Sequence, residues 1–91
     1  MRTSGSELYF DEISFNQAGS QLLQDGNVRQ AIDVFKLNVE VYPDSGNAYD
    51  SLAEAYMKND ETELAVRNFE KSLELDPENE NAKEKLRTLR K

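Results

Sequence analysis

Two prolines, Pro43 and Pro77, stand 34 residues apart in this 91-residue chain, and the residues before each recur at the same distance. Phe15 is answered by Tyr49, Ala18 by Leu52, Gly19 by Ala53 and Leu22 by Tyr56. Ala31 is answered by Ala65, Ile32 by Val66, Phe35 by Phe69 and Val39 by Leu73. Identity holds only at Ala31/Ala65, Phe35/Phe69, Glu40/Glu74 and Pro43/Pro77; elsewhere it is size and polarity that return. A chain that repeats itself in this way is built from copies of one supersecondary unit, each too small to bury its apolar face alone and therefore stacked on its neighbour.

The unit is helical. Phe15, Ala18, Gly19 and Leu22 step by three, one and three; Tyr49, Leu52, Ala53 and Tyr56 repeat those steps; Ala31, Ile32, Phe35 and Val39 step by one, three and four. Each set falls on one face of a 3.6-residue period. Sustained period-2 alternation is absent, so the fold class is all-α. Asp25-Gly26-Asn27 separates the first two helices, with Gly26 suited to the left-handed turn after a helix end. Asn27 with Gln30, and Asp60 with Glu63, have the spacing of capping boxes. Pro43 and Pro77 stop the second and fourth helices, and Asp44-Ser45 and Glu78-Asn79 offer N-caps to the next ones. The pattern predicts helices near 11–25, 28–41, 46–59, 62–75 and 80–90.

A large aromatic, Leu, Gly and Tyr on a first helix, then Ala and Phe on a second and a closing Pro, resemble the tetratricopeptide repeat (TPR) pattern. Residues 46–79 supply Tyr49, Leu52, Ala53, Tyr56, Ala65, Phe69 and Pro77; residues 12–45 supply Phe15, Ala18, Gly19, Leu22, Ala31, Phe35 and Pro43. The resemblance implies a short right-handed α-α superhelix of about five helices: a leader at 1–11, repeats at 12–45 and 46–79, and a capping helix at 80–91. Gly19, Ala53, Ala31 and Ala65 would let helices approach closely. Phe15, Tyr49, Phe35 and Phe69 would fill the space between them, each adding about 1.5–3 kcal/mol of apolar transfer.

At 80–91, Ala82, Leu86 and Leu89 continue the apolar face, while Lys83, Arg87 and Arg90 stand where Tyr49, Ala53 and Tyr56 stand one period earlier. A helix apolar on one side and cationic on the other reads as the wetted end of a solenoid. The opposite end differs. Leu8, Tyr9, Phe10 and Ile13 form an apolar cluster that either folds over the first unit or marks self-association or an upstream neighbour.

The resemblance implies an interaction module whose first helices line a concave groove for a peptide or helix. Matching positions put Asn16, Ser20 and Leu23 there from the first repeat, beside Ile13 and Gln24, and Asn47, Asp50, Glu54, Met57 and Lys58 from the second. Asn81, Glu84 and Thr88 could join from the closing helix. One TPR subfamily grips acidic chaperone tails with Lys, Arg and Asn. This chain carries Asp50 and Glu54 instead, one turn apart, so a basic ligand suits it better, the alternative being a merely solvated helix face.

Composition narrows the chemistry. With no histidine and no cysteine, the commonest general base, the commonest metal ligand and any disulfide are missing, and Ser14, Ser20, Ser45, Ser51 and Ser72 have no histidine to activate them. Asp60-Glu61-Thr62-Glu63 lacks the spacing of a calcium loop. The expectation is therefore no catalysis, no metal and no cofactor. A net charge of −7 argues against nucleic acid. It is uneven: −6 over 46–79 and +3 over 80–91. With no apolar run of membrane-spanning length, membranes are not expected as partners and cytoplasm is the default compartment. Three functional readings remain: a peptide-docking adaptor; an accessory module of a larger chain, similar to the short TPR tails that follow some hydrolase domains; and a unit that dimerises through its N-terminal apolar edge.

Overall fold

In the computed structural model of the protein, residues 11–90 are described. Five helices run through them: α1 (Glu12–Gln24), α2 (Val28–Val41), α3 (Gly46–Lys58), α4 (Thr62–Leu75) and α5 (Glu80–Leu89). Each packs on the next, and α1 also touches α3, so that two hairpins and a last helix stack into a TPR-like layer. The leader and the Leu8, Tyr9 and Phe10 part of the apolar cluster lie outside the described residues; Ile13 is exposed.

The helices start as the repeat dictates, though not everywhere as its residues suggest. The first helix of each pair, and α5, is capped by a side chain at the same register. Asp11 Oδ1 accepts from the Ser14 N–H (2.8 Å), Ser45 Oγ from Ala48 (3.1 Å) and Asn79 Oδ1 from Ala82 (3.2 Å). The capping boxes expected at Asn27 and Asp60 do not form: neither α2 nor α4 has a side-chain cap, and α4 follows Glu61. The connection is too tight for them. Gly26 and Asp60 both take a left-handed backbone, with φ of 85° and 63°. The N–H groups of Gly26 and Asn27 donate back to Leu23 and Leu22, and those of Asp60 and Glu61 to Met57 and Tyr56. This is a Schellman ending, and it consumes the residues a capping box would use. Asp60 is thus the counterpart of Gly26, held in a conformation glycine adopts at less cost.

The core lies between the hairpins. Ala31, Phe35, Ala53, Ala55, Ala65, Phe69 and Ala82 are fully or almost fully buried, joined by Ile32, Leu52, Tyr56 and Leu86. Gly19 lies under the Phe35 ring, and a Cβ at this position would overlap its edge atoms. The close approach expected of Gly19 is therefore real, and glycine is required for it. Ala18 departs from expectation. Its counterpart Leu52 is buried, yet Ala18 is exposed, because it faces the outer flank of the first hairpin. On α5, Ala82 and Leu86 are buried while Lys83 and Arg87 are exposed, and Arg90 pairs with Glu70. Among the described residues no helix is long and apolar enough to cross a membrane.

Candidate functional site

Stacking puts α1, α3 and α5 side by side, so residues spaced three or four apart along each come together. Ser20 and Leu23 from α1, Phe35 from α2, and Asn47, Asp50, Ser51 and Glu54 from α3 line a depression of about 170 Å³. Five of the eight residues expected in the groove therefore converge there. Asn16 lies beside it, its Oδ1 accepting from Asn38 Nδ2 (3.3 Å) and Ser51 Oγ (3.1 Å), which ties α1 to α2 and α3. Met57 instead packs half-buried against the core, and Lys58 is exposed at the end of α3; neither lines the depression.

The floor is acidic and firmly held. Asp50 is only 9% exposed. Its Oδ2 accepts from Asn79 Nδ2 (2.8 Å), and both its oxygens accept from Asn81 Nδ2 (2.9 and 3.2 Å). The Asn81 amide also donates to Glu54 Oε2 (2.8 Å). Asn79 does more than cap α5: the same nitrogen donates to Ser72 Oγ (2.9 Å), and Ser72 donates to the Gly46 carbonyl (2.7 Å). Burial raises the carboxyl of Asp50 above its ordinary 3.8, and the nearby Glu54 adds to the shift. The amides of Asn79 and Asn81 and the charge of Lys85 oppose it. Asp50 is accordingly neither a solvated face nor an open ligand group. It is a buried charge that fastens α3 to α5, and Glu54 is the more accessible acid above it.

Sequence spacing placed Asp50, Glu54 and Asn81 near one another. It gave Asn79 only a cap, and gave Phe35 and Ser51 no place in the groove. Repeat equivalence gave no signal for Asn79: its first-repeat counterpart Ser45 bonds Glu12, not Asn16, the counterpart of Asp50.

A broader depression of about 300 Å³ lies elsewhere, lined by Arg29, Ile32, Asp33, Lys36, Tyr56, Asn59, Glu61 and Leu64. It carries charges of both signs and has no converging set of donors. Among the described residues no three Asp or Glu side chains come together as a metal ion would need. The hydroxyls of Ser45, Ser51 and Ser72 are donors to Glu12, Asn16 and Gly46. The groove presents carboxylates, amides, hydroxyls and an apolar side chain on one face.

Residues 46–79 match the family model of the tetratricopeptide repeat. A solved structure, the first TPR of Spaghetti (RPAP3) bound to HSP90 peptide SRMEEVD, is similar with a TM-score of 0.52. It shares 18% identity, over 87% of this chain and 90% of that one, a likeness that speaks for the fold. Among curated proteins, none matches the sequence.

Proposed function

We propose, from the match of residues 46–79 to the tetratricopeptide-repeat model and the TPR-like fold, that this chain is a protein-interaction module whose concave groove takes a peptide or helix bearing Lys or Arg. The observation that carries this reading is the accessible carboxylate of Glu54, above the buried charge of Asp50 and beside the half-buried Leu23, in one depression. A Lys or Arg side chain has an aliphatic stem and a cationic head, which suits a site with an apolar wall and an acidic floor. Ser20, Asn47 and Ser51 add hydrogen-bonding groups for the backbone of such a ligand.

The fold favours peptides as a class, since a neighbour of the same architecture is bound to one. That neighbour's peptide, SRMEEVD, carries three acidic side chains. Here such a ligand would bring carboxylates toward Asp50 and Glu54 in a chain of net charge −7, which like-charge repulsion disfavours. The reading includes no catalytic step: Ser51 donates to an amide oxygen and Ser72 to a backbone carbonyl, and the Ser45–Glu12 pair does not line the depression.

Calorimetric titration of matched basic and acidic peptides tests it. The basic peptide binds more tightly, and Glu54→Gln weakens it by about tenfold, close to 1.4 kcal/mol, with the difference shrinking as salt rises. Preference for the acidic peptide, or an unchanged Kd in Glu54→Gln, rejects the basic ligand.

A further inference from the structure

Asp50 is buried, yet among the described residues no basic side chain forms an ion pair with it or with Glu54; the ion pairs lie elsewhere, at Lys71–Glu74, Lys83–Glu80 and Arg90–Glu70. A buried charge is ordinarily matched by an opposite one. Here a neutral amide holds that place. Asn81 Nδ2 lies 2.9 and 3.2 Å from the two oxygens of Asp50 and 2.8 Å from Glu54 Oε2. Three carboxylate oxygens from two residues thus close on one nitrogen that has only two hydrogens to give. The two asparagines of the network are held differently. Asn79 is half-buried and anchored at both ends of its amide: Oδ1 accepts from the Ala82 N–H, and Nδ2 donates to Ser72 Oγ as well as to Asp50. Asn81 is exposed, and among the described residues its side chain touches only the two carboxylates. Rotation about its Cα–Cβ bond frees their oxygens while Asn79 keeps Asp50 in place and α5 docked.

We propose that the Asn81 amide is a built-in substitute for the ammonium group of a lysine on the ligand, and that binding exchanges one for the other. Resting on the basic-ligand reading of the groove, this exchange fixes which cation the groove takes and which side chain must move to admit it. An ammonium brings three hydrogens and a full charge to three oxygens already gathered at hydrogen-bond distance. Charge-assisted hydrogen bonds are about twice as strong as neutral ones, so the ammonium displaces the amide. A guanidinium is a flat fork matched to the two oxygens of one carboxylate, and it suits a point between two residues less well. Leu23, in the same depression, offers an apolar contact to the methylene stem. In the free chain Asn81 bridges two like charges one helical turn apart, and so eases their repulsion.

Calorimetry on the full chain and on Asn81→Ala, with short alanine peptides that differ only in a central Lys, Arg or norleucine, tests this. The lysine peptide binds the parent more tightly than the other two. Asn81→Ala tightens it further by roughly fivefold, the worth of one competing hydrogen bond. In nitrogen–proton correlation spectra the lysine peptide shifts the side-chain amide signals of Asn81 and leaves those of Asn79 unchanged. A ligand held by Asn81, and not opposed by it, binds Asn81→Ala more weakly. That result, an unchanged Kd, or an unmoved Asn81 signal in the complex overturns the exchange while the basic-ligand reading stands. An arginine peptide that binds as tightly as the lysine one overturns the assignment of the place to an ammonium. Lysine and norleucine peptides bound alike by both chains, or by neither, overturn the exchange together with the reading it rests on. If Asn81→Ala loses helical circular dichroism, Asn81→Ser, one bond too short to reach the carboxylates, repeats the measurement.

Discussion

In the second hairpin Asp50, Ser72 and Asn79 are joined to one another by hydrogen bonds, with Gly46 and Asn81 completing the set. The first hairpin holds Asn16, Asn38 and Ser45 at the equivalent positions, and its polar atoms are answered less completely. Asn38 Nδ2 reaches Asn16, but Asn38 Oδ1 is buried without a hydrogen-bond partner, and Ser45 turns to Glu12 instead. A buried polar atom left unpaired costs about 1–3 kcal/mol. The same backbone plan is therefore executed at different quality in its two copies. The copy matched by the family model is the one whose buried polar groups are satisfied. A repeat can drift in its polar residues and still stack, provided the aromatic and small positions that set the helix spacing are kept.

The largest test of this contrast is at Phe35 and Phe69, at most 1% exposed in either case. Truncation to Ala costs about 3–5 kcal/mol each in chemical denaturation. The greater loss is expected at Phe69, in the hairpin with neighbours on both sides; equal losses would mean the two copies are energetically alike. Next come opposite substitutions at equivalent positions. Gly19→Ala drives a methyl into the Phe35 ring and destabilises by about 1–3 kcal/mol. Ala53→Gly loosens a buried helix position by about 1 kcal/mol. A Gly19→Ala chain that melts higher than the parent would show that α1 is free to move off α2, and would sharpen the contrast in an unexpected direction.

The smallest effect is in pH. Asp50 has its carboxyl raised in the folded state, so the fold binds that proton more tightly than the unfolded chain does. Its contribution is greatest at low pH and declines as pH rises from about 3.8 through the raised folded value. Relative to the parent, Asp50→Asn therefore gains stability over that interval and holds a constant difference above it. Urea melts between pH 3 and 7 read this directly, and a parent that gains on the variant as pH rises contradicts the assignment of Asp50 as a buried, proton-retaining group.

Helices and their stacking were legible because they depend on apolar period and on breakers, both of which are local. Pro43, Pro77 and Gly26 marked boundaries that lie within a residue of those observed. Three features were not legible, each for a physical reason. Asn27 and Asp60 have the composition of caps but occupy a turn whose geometry commits their backbones elsewhere. Ala18 occupies a repeat position whose burial depends on what packs on the outer flank of its hairpin, which the spacing within its own helix does not encode. Asp50 has the look of a surface acid, and its burial depends on Asn79 and Asn81 arriving from α5, a contact across 29 to 31 residues that no helical spacing encodes. In the groove, spacing found the face and missed which members of that face are held by neighbours.

The double use of the asparagines at the start of α5 has one more consequence. Asn79 begins the helix and grips Asp50 with the same side chain, and Asn81 spans Asp50 and Glu54. Peeling the terminal helix away strips the groove floor of its amides, so floor and helix order themselves as one unit. By reciprocity, a guest that favours the assembled floor must tighten the chain's last segment by the same free energy with which that segment favours the guest.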